Sequence, residues 1–156
     1  MQGWCRILIG VAAIGSLTTT AAVLGESSPD GKAVFARRQD TMKRMGRPLY
    51  LGIGRVVKGT TPYGPDTVTE AETVASLAST LDRTLFAPGS NLADSKIKPA
   101  IFAAGDQVDQ LIAAVQTATS RLVPAVKSGD KAAIAAAYTA AADACNACHI
   151  KFREEE

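Results

Sequence analysis

The sequence predicts an all-α chain folded as an antiparallel four-helix bundle, and three observations carry that reading. Apolar residues recur at spacings of three and four, alanine is abundant, and Val/Ile/Thr runs of period two are absent. Four such patterns, joined by one short and two longer breaks, fit two packed layers of helices around one core. The length, 156 residues, is that of a single domain.

The first segment belongs to no helix of the bundle. Met1–Arg6 supplies one positive charge at Arg6, and the next nineteen residues are apolar or small. This is the pattern of a secretory signal peptide, expected over residues 1–25 with cleavage after Gly25 or Ala22. Three consecutive threonines and few large apolar residues argue against a retained membrane anchor. Cys5 precedes the apolar stretch, so it cannot carry a lipid after cleavage. Residues 26–156 are then one exported, periplasmic domain with no membrane insertion.

The bundle elements follow in order. Over roughly 31–57, Phe35, Met42, Met45, Leu49, Ile53 and Val56 share a face. Pro48 falls inside that pattern and predicts a kink or short break, because it lacks an amide donor and crowds the carbonyl of Arg44. Two prolines and two glycines between Lys58 and Pro65 end the element. Asp66 is the expected N-cap of a second helix over roughly 67–85, with Val68, Ala71, Val74, Ala78 and Leu81 inward. After an irregular stretch from Ala87, Pro99 is expected to open a third helix with Ile101, Val108, Leu111, Val115, Leu122 and Val126 inward. Ser128-Gly129-Asp130 is a tight break. The fourth helix carries Ile134, Tyr138, Ala141, Cys145, Cys148 and Phe152, and its alanines permit close approach.

Composition excludes some functions. Seventeen Lys and Arg against fifteen Asp and Glu leave a net charge of +2, too little for a nucleic-acid binder held by bulk charge. Apolar residues make up 47%, which excludes a disordered acidic tail.

The chemistry is concentrated in Cys145-Asn146-Ala147-Cys148-His149. This is C-x-x-C-H, the attachment sequence for c-type haem. Two thiols three residues apart on a helical turn can reach both vinyl groups of one porphyrin. The adjacent imidazole can then bind the iron from the same side. Other readings fit less well. A structural zinc site needs about four N or S ligands, and the exported domain offers three. A redox dithiol normally sits at a helix N-terminus beside a βαβ unit, whereas this pair lies near the end of the last helix. A disulfide between Cys145 and Cys148 would strain that helix and leave His149 unexplained. Covalent haem c, one per chain, is the expected cofactor, lying inside the bundle and forming part of its core.

With CNACHIKFR closing a four-helix pattern, the chain closely resembles the class II cytochromes c, the cytochrome c′ family. Arg38-Gln39-Asp40-Thr41-Met42 resembles that family's first helix. Val57-Lys58-Gly59 with Pro62-Tyr63 resembles its first loop, and Pro99-Ala100-Ile101-Phe102 the start of its third helix. The resemblance implies Arg38 near a haem propionate, Met42 over the distal face of the iron, and Arg153 on the proximal side. Two departures stand out: Phe102, where relatives often have Trp, and Pro48.

His149 is the only histidine, so a second histidine ligand is impossible; after cleavage, Met42 and Met45 are the only methionines. Antiparallel first and fourth helices bring Met42 to the same end as His149. Met42-Lys43-Arg44-Met45-Gly46-Arg47 resembles the low-spin, methionine-ligated subgroup, which implies a periplasmic carrier of single electrons. The alternative is a high-spin cytochrome c′ that binds NO or CO at a vacant distal site. With no spare acid–base group expected above the iron, an enzyme is disfavoured. Residues 31–58 carry eight basic side chains against Asp40 alone, which could orient the chain toward an acidic redox partner or simply form a solvated face. A homodimer is a further implication of the resemblance.

Overall fold

The computed structural model describes residues 29–154, so the expected signal peptide and cleavage site lie outside the described residues. The first helix, α1, is continuous but changes pitch. It is α-helical over Pro29–Gly46, π-helical over Arg47–Ile53 and α-helical again over Gly54–Val57. The kink or break expected at Pro48 is thus a π segment instead. Widening the turn avoids the clash a proline makes with the preceding carbonyl and lets the helix carry on, as where the Gly54 amide donates to the Leu49 carbonyl. Gly59, at φ 72°, turns the chain out of α1. The Tyr63 hydroxyl then pins the loop by donating to the Val126 carbonyl at 2.8 Å.

Helix α2 spans Pro65–Ser79. Its cap is Gly64 rather than Asp66. Pro65 takes the first turn, where no amide is needed, and Asp66 follows it, with its charge near the positive end of the helix. The helix also ends before the expected residue 85. Leu81 and Leu85 are still buried, but Leu85 comes from a 3-10 turn over Arg83–Phe86, capped where the Thr84 amide donates to Asp82 at 2.7 Å. Pro99 likewise opens a 3-10 turn, Pro99–Ala103, and the third helix, α3, begins only at Gly105 and runs to Ser128. Gly129, at φ 69°, reverses the chain in the left-handed conformation that glycine adopts without strain. Asp130 caps α4, Lys131–Phe152, by accepting from the Ala133 amide at 2.6 Å. So short a connection forces α3 and α4 to run antiparallel.

The four helices form an antiparallel bundle with the expected faces inward. Leu49, Ile53, Ala71, Val74, Leu122, Val126, Ile134 and Ala141 make one buried cluster. Met45, Ala78, Leu81, Leu85 and Val115 make a second, and Ile101, Val108 and Phe152 a third. Burying each larger aliphatic side chain contributes about 1.5–3 kcal/mol. The only pairing of extended backbone among the described residues is an isolated bridge, Ile97 with Arg153. There the Lys98 amide donates to the Phe152 carbonyl at 2.8 Å and the Glu154 amide to the Lys96 carbonyl at 2.7 Å. No described helix is long and apolar enough to cross a membrane.

Candidate functional site

The second and third clusters meet along a cleft between α1, the Arg83–Phe86 turn, α3 and α4. Helix α4 presents Cys145, Cys148 and His149 to it. The stripe of α1 at i, i+3, i+4, i+7 and i+8 presents Met42, Met45, Gly46, Leu49 and Tyr50. Leu81, Phe86, Leu111, Ile112 and Val115 complete an almost wholly apolar wall. The expected approach of Met42 to His149 is therefore realised, and Met45 lies with it, more deeply buried than Met42.

The electrostatics favour neutral groups. Burial pushes the Cys145 thiol up to about 11, with the charge of Cys148 adding to it, and burial raises Cys148 as well. Burial lowers the His149 imidazole, and the nearby Arg153 lowers it further. Both cysteines are unbridged. Protonated thiols are poor zinc ligands and weak redox nucleophiles, but they are what adds across a vinyl group to form a thioether. Together with a neutral imidazole in a greasy cleft, this donor set fits a covalently held porphyrin with one axial histidine. No group of three or more His, Cys, Asp or Glu able to hold a metal ion occurs among the described residues.

Neither of the two arginines named from the resemblance lines the cleft, though Arg153 stands close enough to His149 to affect its charge. Arg38 is buried but does not line the cleft. Its four terminal N–H groups all donate to the segment after α2. Nη1 reaches the Leu85 carbonyl and Ser90 Oγ, both at 2.8 Å, while Nη2 reaches the Ser90 carbonyl at 2.8 Å and Ser95 Oγ at 3.1 Å. Burial lowers its pKa, and its guanidinium also lies 5.7 Å from the Phe35 ring. Arg153 is exposed just past α4, where its amide donates to the His149 carbonyl at 2.8 Å.

Four cleft residues escape the sequence reading, and one of them, Ile112, simply adjoins the expected Leu111. Tyr50 and Gly46 belong to the Met42 stripe and were legible from it. Phe86 comes from a 3-10 turn, which carries no long-range periodicity.

A family model described as Cytochrome C′ matches residues 33–153. The cytochrome c′ of Rhodospirillum rubrum is 28% identical over 150 residues, covering 96% of this chain and 99% of that protein. A carbon-monoxide-bound variant of cytochrome c′ from Alcaligenes xylosoxidans superposes with a TM-score of 0.70 at 25% identity, over 80% of this chain and 97% of that one. A ferrous variant of the same protein with bound NO gives 0.72 at 23% identity, over 83% and 99%. These similarities favour cytochrome c′ and lend nothing to the low-spin subgroup that residues 42–47 resemble.

Proposed function

The chain belongs to the cytochrome c′ family, and from that premise we propose that it is a non-enzymatic haem protein that takes small uncharged gases, NO or CO, at a distal site facing Met42. Proteins of this family bind haem c covalently. In this chain Cys145 and Cys148 would hold the porphyrin and His149 its iron, which supplies a coordination site for a diatomic ligand. The observation that carries the reading is the composition of the cleft: apart from His149, the two thiols and the Tyr50 phenol, its lining is hydrocarbon and thioether. Such walls exclude ions and offer no base to drive catalysis. Carbon monoxide and NO in related cytochromes c′ support the choice of ligand.

A second reading has one observation in its favour. Met42 lies on the cleft, so its thioether could close the sixth position and make the protein a carrier of single electrons. The optical spectrum of the reduced holoprotein, with and without CO, separates the two. A high-spin spectrum that shifts with CO is expected, with Met42→Ala leaving the spin state unchanged. A low-spin spectrum indifferent to CO, turned high-spin by Met42→Ala, would transfer the assignment to the electron carrier. Export to the periplasm and pairing into a homodimer complete the proposal. N-terminal sequencing of the secreted protein and sedimentation test those two.

A further inference from the structure

We propose that the ring of Phe86 is the gate on a gas route, through which an uncharged diatomic passes from an outer cavity into the haem cleft; the inference rests on the gas-binding reading above. The outer cavity has a volume of about 300 Å³ and is walled by Phe86, Ala87, Pro88, Ile101, Phe102 and Val108. Phe86 is the one described residue that lines both this cavity and the cleft. Its half-buried ring packs against both clusters, the one that includes Leu81 and Leu85 and the one formed by Ile101, Val108 and Phe152.

The backbone around the ring is held while the ring itself is tied by no polar contact. Arg38 grips the Leu85 carbonyl on one side of Phe86 and Ser90 on the other, and Asp82 caps the turn from before. Opening therefore needs only a side-chain rotation, which is fast compared with backbone rearrangement. The polar edge of the outer cavity suits the same passenger. Arg83 lines it and is neutralised by Asp109, its Nε lying 2.6 Å from Oδ1, with Asp106 at 3.8 Å. Two carboxylates beside one guanidinium leave the edge slightly negative, which repels anions and has no hold on an uncharged gas.

A gate differs from a wall of the binding site in its kinetic signature. Narrowing a route slows entry and exit alike and leaves the equilibrium constant alone, whereas a change in the site itself alters affinity. In the ferrous holoprotein, CO association after flash photolysis and CO dissociation on replacement by NO are the two rates to measure. Phe86→Trp should slow both by about tenfold, and Phe86→Ala should quicken both. Phe102→Trp, which fills the outer cavity from a wall that does not touch the cleft, should also slow both, with Kd unchanged. Crystals under xenon pressure should show the gas in the outer cavity of the wild type and not in Phe102→Trp. Rates unaltered by both tryptophan variants, or a Phe102→Trp effect confined to one rate with a matching change in Kd, would overturn the gate while leaving gas binding intact. Wild-type ferrous protein that takes up no CO would overturn the gas-binding reading and the route with it.

Discussion

Arg38 shows how a single side chain can hold a distant stretch of chain in place. Its guanidinium is buried without a carboxylate among its hydrogen-bond partners, and all four terminal N–H groups are spent on Leu85, Ser90 and Ser95. Arg38→Leu should lower stability by about 2–4 kcal/mol in urea unfolding, because several buried acceptors lose their donor at once. Arg38→Lys should recover only part of that, since an ammonium cannot span four acceptors in a fork. Tyr50 gives a prediction in pH. Burial, the largest cause, pushes the phenol up to about 12, with Tyr138 and Asp143 adding to it. Its ordinary value is about 10, so the folded chain holds this proton more tightly than the unfolded one. The contribution is complete below about pH 10 and is lost as pH rises toward 12. Tyr50→Phe should flatten that part of the alkaline decline in unfolding free energy. At this scale the C-x-x-C-H run was legible because it is contiguous. The partners of Arg38 were not, because three residues about fifty positions away meet it only after the chain has folded.

Element by element, periodicity located all four helices and their inward faces, and it failed where backbone geometry departs from the α-helix. Pro48 was read correctly as incompatible with a regular turn. The remedy, a π segment that keeps Leu49 and Ile53 buried, depends on tertiary packing that no local rule contains. The 3-10 turns at Arg83–Phe86 and Pro99–Ala103 extended the apparent second and third helices because their apolar residues continue the pattern after the helical hydrogen bonds have stopped. The break at Ser128-Gly129-Asp130 was plain in advance, and the structure adds that Asp130 caps the following helix. Asp130→Ala should cost about 1 kcal/mol, read as a lower urea midpoint with an unchanged slope.

For the whole molecule, the uneven charge is the property most open to test. Lys32, Arg37, Lys43, Arg44, Arg47 and Arg55 stand exposed on α1 and Lys58 just past its end, with the Asp40 carboxylate 3.4 Å from Arg44 as an ion pair. If an acidic protein docks there, its association rate should fall steeply as ionic strength rises, while its dissociation rate changes little. A rate indifferent to salt would leave the basic residues as a solvated face. The bundle and the composition of its cleft were readable from pattern and motif; the outer cavity was not, because it lies between two short turns that only the assembled fold brings together. The bridge between Ile97 and Arg153 has a mechanical consequence. Arg38 fastens one end of the 85–98 segment to the first helix, and the bridge fastens the other end to the tail of the last. The bundle thus wears a girdle that cannot slacken at one buckle without loading the other, so the amides of Lys98 and Glu154 should exchange with deuterium as slowly as those of the helix they brace.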